Sequence, residues 1–271
     1  MERQAKLESL SGWIAMAAFV VFSAMVADTA LAATSITGTK HNLGTTGTGT
    51  NHLTAGTDEV CVFCHTPHGG GVGNAPLWNK ALPSTTYSLY GSTGGETATL
   101  DGQVVAVGSV SQACLSCHDG TQAMDNMINA PGSGGFTAGG ARPAGYTWTG
   151  AGADGLMPAG ITNLGADLRN DHPIGVQYCG GGLTDSGGAC VDPDFKSVTR
   201  GTINGLVQFW VDTSGGTASR EKTDMVLYRR AEFTGPSVEC GSCHDPHNYS
   251  NPTFLRVANN TSNLCLSCHT K

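Results

Sequence analysis

A five-residue pattern, Cys-x-x-Cys-His, occurs four times in this chain and constrains its fold more than any other feature. The four copies, called motifs 1 to 4 below, occupy residues 61–65, 114–118, 240–244 and 265–269 and contain eight of the 10 cysteines. At this spacing two thiols on one turn can each add to a vinyl group of the same haem, while the adjacent histidine binds the iron. A zinc site needs no histidine directly after each cysteine pair, and a thioredoxin-type redox pair normally occurs once. The pattern therefore predicts four covalently bound haem c groups, attached at Cys61, Cys64, Cys114, Cys117, Cys240, Cys243, Cys265 and Cys268.

The nine histidines match the needs of four haem irons. Each motif supplies one proximal ligand, from His65, His118, His244 and His269. Four irons with two axial ligands each need four more, and five candidates remain: His41, His52, His68, His172 and His247. The choice between His41 and His52 stays open. Methionine ligands are the alternative, but Met124, Met127, Met157 and Met225 are explained more simply as residues that fill gaps in the packing.

Histidine on both sides saturates an iron and gives it a lower reduction potential than a methionine ligand does. Such an iron passes electrons and does not bind substrate. We therefore expect an electron carrier with no catalytic residues, not an enzyme. A multihaem reductase would require an iron with an open position, and the number of histidines argues against it.

The motifs also form an internal repeat. Residues 61–68 read C-V-F-C-H-T-P-H and residues 240–247 read C-G-S-C-H-D-P-H, and each copy is followed by a C-L-S-C-H motif. The repeat predicts two tandem dihaem modules, at residues 34–130 and 166–271. A Gly- and Ala-rich connection at residues 131–165 joins them.

His68 and His247 each follow a proximal histidine by three residues, on the same side of a turn. They are therefore expected to bind a neighbouring iron and not the far face of their own haem. The predicted pairing joins His68 to the haem of motif 2 and His247 to the haem of motif 4. The upstream histidines, His41 or His52 and His172, would then bind the haems of motifs 1 and 3.

Residues 1–33 have the features of a cleaved export signal peptide. Arg3 and Lys6 precede an apolar run at residues 13–26, and small residues follow at 30–33. A retained anchor is the alternative, but the run is about 14 residues where a spanning helix needs about 20. The mature protein is expected outside the cell or on its surface, or else in the periplasm, and not as an integral membrane protein.

Export also bears on the two cysteines outside the motifs. Cys179 and Cys190 flank a Gly-rich loop, and in an oxidising compartment such a pair is expected to form a disulfide. Two free thiols are the alternative.

Composition limits the fold around the motifs. Apolar residues make up 39% of the chain and charged residues 13%, where a typical domain has about 25% charged residues. Long amphipathic helices around a large core are therefore not expected. The predicted fold is mostly irregular coil organised by the haems, with short helices at the motifs and few short strands, two of them at residues 104–107 and 207–211. The expected helix caps are Asp58, Ser111, Ser237 and Ser262.

The net charge of −7 lacks the basic surface typical of nucleic-acid binding. No nucleic-acid partner is expected.

The segments K-H-N-L-G, C-V-F-C-H-T-P-H-G, P-L-W-N, C-L-S-C-H-D-G, D-H-P-I-G, C-G-S-C-H-D-P-H-N and L-C-L-S-C-H-T-K resemble the doubled CxxCH family of exported multihaem cytochromes. Tetrahaem members with this layout resemble the extracellular cytochromes that form conductive filaments in metal-respiring bacteria. The resemblance implies stacked bis-histidine haems and an axial histidine exchanged between subunits, for which His41 or His52 is the candidate. It also implies partners: copies of the chain, redox donor and acceptor proteins, or extracellular metal oxides. A monomeric periplasmic electron carrier is the alternative.

Overall fold

The computed structural model describes residues 35–71, 75–91, 100–132, 134–216 and 219–271. The predicted export signal, residues 1–33, lies outside them. In the described residues the α-helices are short: α1 (Ser109–His118), α2 (Cys240–Cys243) and α3 (Asn263–Leu266). Single 3-10 turns occur at Ile36–Gly38, Cys61–Phe63, Tyr178–Gly180 and Pro252–Phe254. This low helix content agrees with the predicted coil-rich fold.

The strands are mostly two to six residues long. In chain order they are β1 (His52–Ala55), β2 (Ser88–Leu89), β3 (Met127–Asn129), β4 (Phe136–Ala141), β5 (Thr147–Thr149), β6 (Asp167–Leu168), β7 (Val176–Gln177), β8 (Leu183–Thr184), β9 (Gly187–Gly188), β10 (Thr199–Ile203), β11 (Leu206–Val211), β12 (Met225–Arg229) and β13 (Pro236–Val238).

The largest sheet is antiparallel and has five strands in the order β10-β11-β12-β13-β7. Its apolar side chains pack into a core that includes Tyr178, Phe209, Val211 and Leu227, each 1–2% exposed. Alternating apolar residues predicted a strand at residues 207–211, and β11 confirms it. This sheet is larger than the predicted few short strands. It gains size because β12, β13 and β7, from other parts of the chain, extend it beyond β11.

Residues 104–107 do not form the predicted strand. Val104 makes only an isolated antiparallel bridge to Val176. The V-V-A-V segment has residue types that favour strands, but strand pairing does not extend beyond Val104 and Val176.

The predicted connection, residues 131–165, is less irregular than its composition suggested. It contains β4 and β5, which pair antiparallel with β3 and β1. Tyr146 and Trp148 pack against a small core around Leu53, Phe63 and Met127. Pairing with strands of the first module supplies the order that Gly-rich sequence does not specify by itself.

Cys179 and Cys190 form a disulfide, with Cα atoms 5.3 Å apart. The predicted pair is confirmed. It links the turn Tyr178–Gly180 to the segment after β9, next to the core of the large sheet.

Removing this disulfide with Cys179→Ser and Cys190→Ser is expected to cost roughly 3 kcal/mol, because the bond restricts the unfolded chain. Urea unfolding of the haem-loaded protein measures it. Wild-type protein treated with a thiol reductant is the control and should lose the same amount, since thioether bonds to haem are not reduced. Unchanged midpoints in both samples would contradict the prediction.

Among the described residues, no helix combines the length and the apolar character needed to cross a membrane.

Candidate haem-binding site

Each CxxCH motif lies on a helical turn. Motif 1 begins with the 3-10 turn Cys61–Phe63, motif 2 is the last half of α1, and motifs 3 and 4 overlap α2 and α3. A turn brings the two cysteines of a motif to the same side of the backbone. The predicted helical turns at the motifs are confirmed.

The predicted caps are mostly wrong. α1 begins at Ser109, so Ser111 lies inside it. The N-cap of α2 is Glu239, which forms a capping box with Ser242. Ser262 occupies the N-cap position of α3 but makes no side-chain capping bond.

Motifs 1 and 3 share one hydrogen-bonding scaffold. Nδ1 of His65 bonds to the carbonyl oxygen of Pro76 at 2.7 Å, and Nδ1 of His244 bonds to that of Thr253 at 2.8 Å. Two further backbone hydrogen bonds occur in both copies. At motif 1, the N–H of Thr66 donates to the carbonyl oxygen of Leu77, and that of Asn79 to Cys64. At motif 3, the N–H of Asp245 donates to the carbonyl oxygen of Phe254, and that of Arg256 to Cys243. The repeat seen in the sequence is therefore also a repeat of local structure.

The Nδ1 bonds orient the proximal rings. In motif 2, Nδ1 of His118 bonds to the carbonyl oxygen of Thr162 at 2.7 Å. A ring whose Nδ1–H donates to a carbonyl presents Nε2 as the free ligand atom, an arrangement typical of metal-bound histidine.

Two proximal rings each face a second histidine. The ring centroids of His65 and His247 are 6.0 Å apart with an interplanar angle of 18°, and those of His41 and His118 are 6.2 Å apart at 66°. Burial, and then the neighbouring His118, lowers the pKa of His41 to about 4. The neutral ring is the form that binds a metal.

The proximal histidine of motif 4 also has a histidine neighbour. Burial, and then the neighbouring His172, lowers the pKa of His269. The ring of His269 contacts Phe195 at a centroid distance of 4.4 Å.

These positions differ from the predicted pairing. His247 faces His65 of motif 1 and not motif 4, and the upstream histidines His41 and His172 lie beside motifs 2 and 4 and not beside motifs 1 and 3. The prediction assumed that each module pairs its own ligands. In the structure the turn after motif 3 lies against motif 1 instead.

The other two candidate ligands lie elsewhere. His68 is exposed, and its carbonyl oxygen accepts hydrogen bonds from Thr66 and Asn129. His52 is half-buried at the start of β1, with Nδ1 bonded to the carbonyl oxygen of Gly49 at 2.7 Å.

The cysteines of successive motifs are neighbours. Burial and the adjacent Cys117 raise the pKa of Cys64 to about 12. The neighbouring thiol of Cys240, together with burial, raises the pKa of Cys114, and the thiol of Cys114 lowers the pKa of Cys240. Burial and the neighbouring Cys243 of motif 3 raise the pKa of Cys268 to about 12. The candidate attachment points thus follow one another in the order of motifs 1, 2, 3 and 4.

A buried carboxylate joins motif 2 to motif 3. Glu239 accepts a hydrogen bond from Ser111 Oγ at 2.6 Å, and Ser111 in turn accepts one from the backbone N–H of Cys240 at 2.9 Å. Arg230 pairs with Glu239 at 2.9 Å and also donates to the carbonyl oxygen of Ala106 at 2.8 Å. Burial raises the pKa of Glu239, and the bonds from Ser111 and Arg230 oppose that effect. Nothing local in the sequence identified this contact, because its partners lie more than 100 residues apart.

A buried lysine holds motif 1 in place. Lys80 is 1% exposed, and its ammonium group donates at 2.9–3.0 Å to the carbonyl oxygens of Ala123, Met124 and Asn126. The preceding Asn79 donates to the carbonyl oxygen of Val62 within motif 1 at 2.7 Å. These bonds tie motif 1 to the segment between α1 and β3. The only sequence signal was the P-L-W-N segment noted for its resemblance.

The described residues fit a haem at motif 1. The indole Nε1 of Trp78 is buried and has no hydrogen-bond partner among them, and its ring lies edge-on to His65 at 6.0 Å. An indole N–H can only donate, and a haem propionate is a suitable acceptor. Across the described part of the chain, no three or more His, Cys, Asp or Glu side chains form a group that would hold a metal ion.

Comparison with known families agrees with the motif. Residues 235–271 match the family model of the doubled CXXCH motif. This segment is a haem c-binding motif of cytochrome type. It contains motifs 3 and 4 and indicates a haem-binding electron-transfer protein. No curated protein matches the chain.

Proposed function

We propose that this protein is an exported tetrahaem c-type cytochrome that relays electrons through bis-histidine irons. The observation that carries the proposal is the doubled CXXCH match at residues 235–271, together with a second copy of the same local scaffold around motif 1. Paired histidine rings at motifs 1 and 2 support two axial ligands at each of those irons.

The residues of the chain then have distinct roles. The cysteines would hold each haem by two thioether bonds, and the proximal histidines would bind its iron. Backbone carbonyls at Pro76, Thr162 and Thr253 keep three of the proximal rings oriented. When bound, haem c supplies one-electron transfer between ferric and ferrous iron. Distal histidines would exclude substrates from the iron, and the protein would then act as a carrier and not as an enzyme.

Haem stoichiometry tests the proposal. The exported protein, matured in a host with c-type cytochrome assembly, should carry four haems by intact mass and by the pyridine haemochrome assay. Replacing both cysteines of any one motif with alanine should remove one haem, because each motif holds its haem independently. Replacing the disulfide cysteines, Cys179 and Cys190, is the matched control and should leave four. Fewer than four haems in wild-type protein would contradict the tetrahaem assignment.

We further propose that copies of this protein assemble outside the cell into a filament that passes electrons to external acceptors such as redox proteins or metal oxides. The resemblance of the tetrahaem layout to filament-forming cytochromes supports this assembly. Negative-stain electron microscopy of secreted, haem-loaded protein should show filaments. Protein that remains monomeric at high concentration would instead support the periplasmic carrier.

A further inference from the structure

We propose that His247 is the distal ligand of the haem iron at motif 1. The second module would then supply an axial ligand to the first. This inference rests on the proposed function, since it assigns ligands within the tetrahaem site.

The distance between the two rings is the first support. Two imidazole nitrogens bound on opposite sides of one iron, each at about 2 Å, hold their ring centroids roughly 6 Å apart. His65 and His247 are 6.0 Å apart and nearly parallel at 18°. The spacing leaves room for an iron between them.

Ring orientation is the second support. Nδ1 of His65 is bonded to the carbonyl oxygen of Pro76. A hydrogen bond on Nδ1, as at His65, directs the remaining ring nitrogen of a ligand toward its metal. The backbone N–H of His247 donates to a carboxylate oxygen of Asp245 at 3.0 Å in the same turn.

The assignment is compatible with a ligand for the next haem as well. His41 would bind the haem of motif 2, as the position of its ring beside that of His118 indicates. The turn after motif 3 would thus be joined to the haem of motif 1, and the modules could not separate without losing that axial ligand.

The test uses haem-loaded exported protein. His247→Ala should convert one of the four haems from low-spin to high-spin, measured by resonance Raman and EPR spectroscopy. Tyr249→Ala is the matched control: it lies in the same loop, is 45% exposed and should leave four low-spin haems.

Double variants identify which iron loses its ligand. In a Cys61→Ala/Cys64→Ala background, which retains three haems, His247→Ala should produce no high-spin haem. In a Cys265→Ala/Cys268→Ala background it should still produce one. The opposite pattern would overturn the proposal in favour of ligation within the second module.

EPR spectra of the single variants provide a test that does not depend on how well the double variants accumulate. Nearly parallel axial imidazoles give a rhombic low-spin EPR signal, whereas steeply crossed planes give a far more anisotropic one. His247→Ala should remove a rhombic signal, and His41→Ala should remove a strongly anisotropic one. Retention of every low-spin signal in His247→Ala would overturn the ligand assignment while leaving the tetrahaem function intact. Absence of haem from wild-type protein would instead overturn the proposed function.

Discussion

Replacing Arg230 by methionine is expected to destabilise the protein by about 3–5 kcal/mol at neutral pH, because it leaves a buried carboxylate without its partner. The Arg230 side chain is 6% exposed and that of Glu239 is 0% exposed. The loss should be visible in urea unfolding of the haem-loaded protein, followed by far-ultraviolet circular dichroism.

Arg229→Met is the matched control. This neighbouring arginine pairs with Asp185 at the surface, where both side chains are about half exposed, and exposed pairs contribute about 0–1 kcal/mol. Equal losses in the two variants would show that the Arg230 contact does not support the fold.

The effect of Arg230→Met should also depend on pH. Burial raises the pKa of Glu239 above its ordinary 4.5, and loss of Arg230 should raise it further. A carboxyl group with a higher pKa in the folded state than in the unfolded state makes the protein less stable as pH rises from the unfolded pKa to the folded pKa. The variant should therefore be closest to wild type at acidic pH, where Glu239 is protonated. A deficit that grows on acidification would contradict this mechanism.

Phe209→Ala is the second large expected effect, a loss of about 3–5 kcal/mol, because it opens a cavity in the core of the five-stranded sheet. Phe209 is 2% exposed and packs among side chains of β7, β12 and β13. Urea unfolding gives the free-energy change.

Leu206→Ala is its control on the same strand. Leu206 is 65% exposed, and surface substitutions of this kind usually change stability by about 0.5 kcal/mol or less. A Phe209→Ala protein as stable as the control would mean that haem contacts, and not the sheet core, dominate stability in the second module.

Sequence patterns predicted the features that depend on nearby residues. The helical turns at the motifs and the strand at β11 involve residues a few positions apart, and the disulfide joins Cys179 to Cys190, 11 positions apart. The repeat of motifs 1 and 3 was also visible in the sequence, and the shared hydrogen bonds at His65 and His244 confirm it as a structural repeat.

Sequence patterns did not predict contacts between distant segments. Ser111 was expected to cap a helix, yet it donates to Glu239, which lies 128 residues further along the chain. The Gly-rich connection was expected to be irregular, yet β4 and β5 pair with strands of the first module. In both cases the partner is chosen by packing across the fold, which local preferences do not encode.

The amino-acid sequence by itself determined the haem-binding chemistry, because thioether attachment and proximal ligation need only five consecutive residues. It also provided five histidines outside the motifs, which are the predicted candidates for distal ligands. Only the tertiary structure decided which histidine faces which motif, placing His247 beside His65 and His41 beside His118. An axial pair is made by two rings on opposite sides of one iron, so its members are selected by distance in space and not by spacing along the chain.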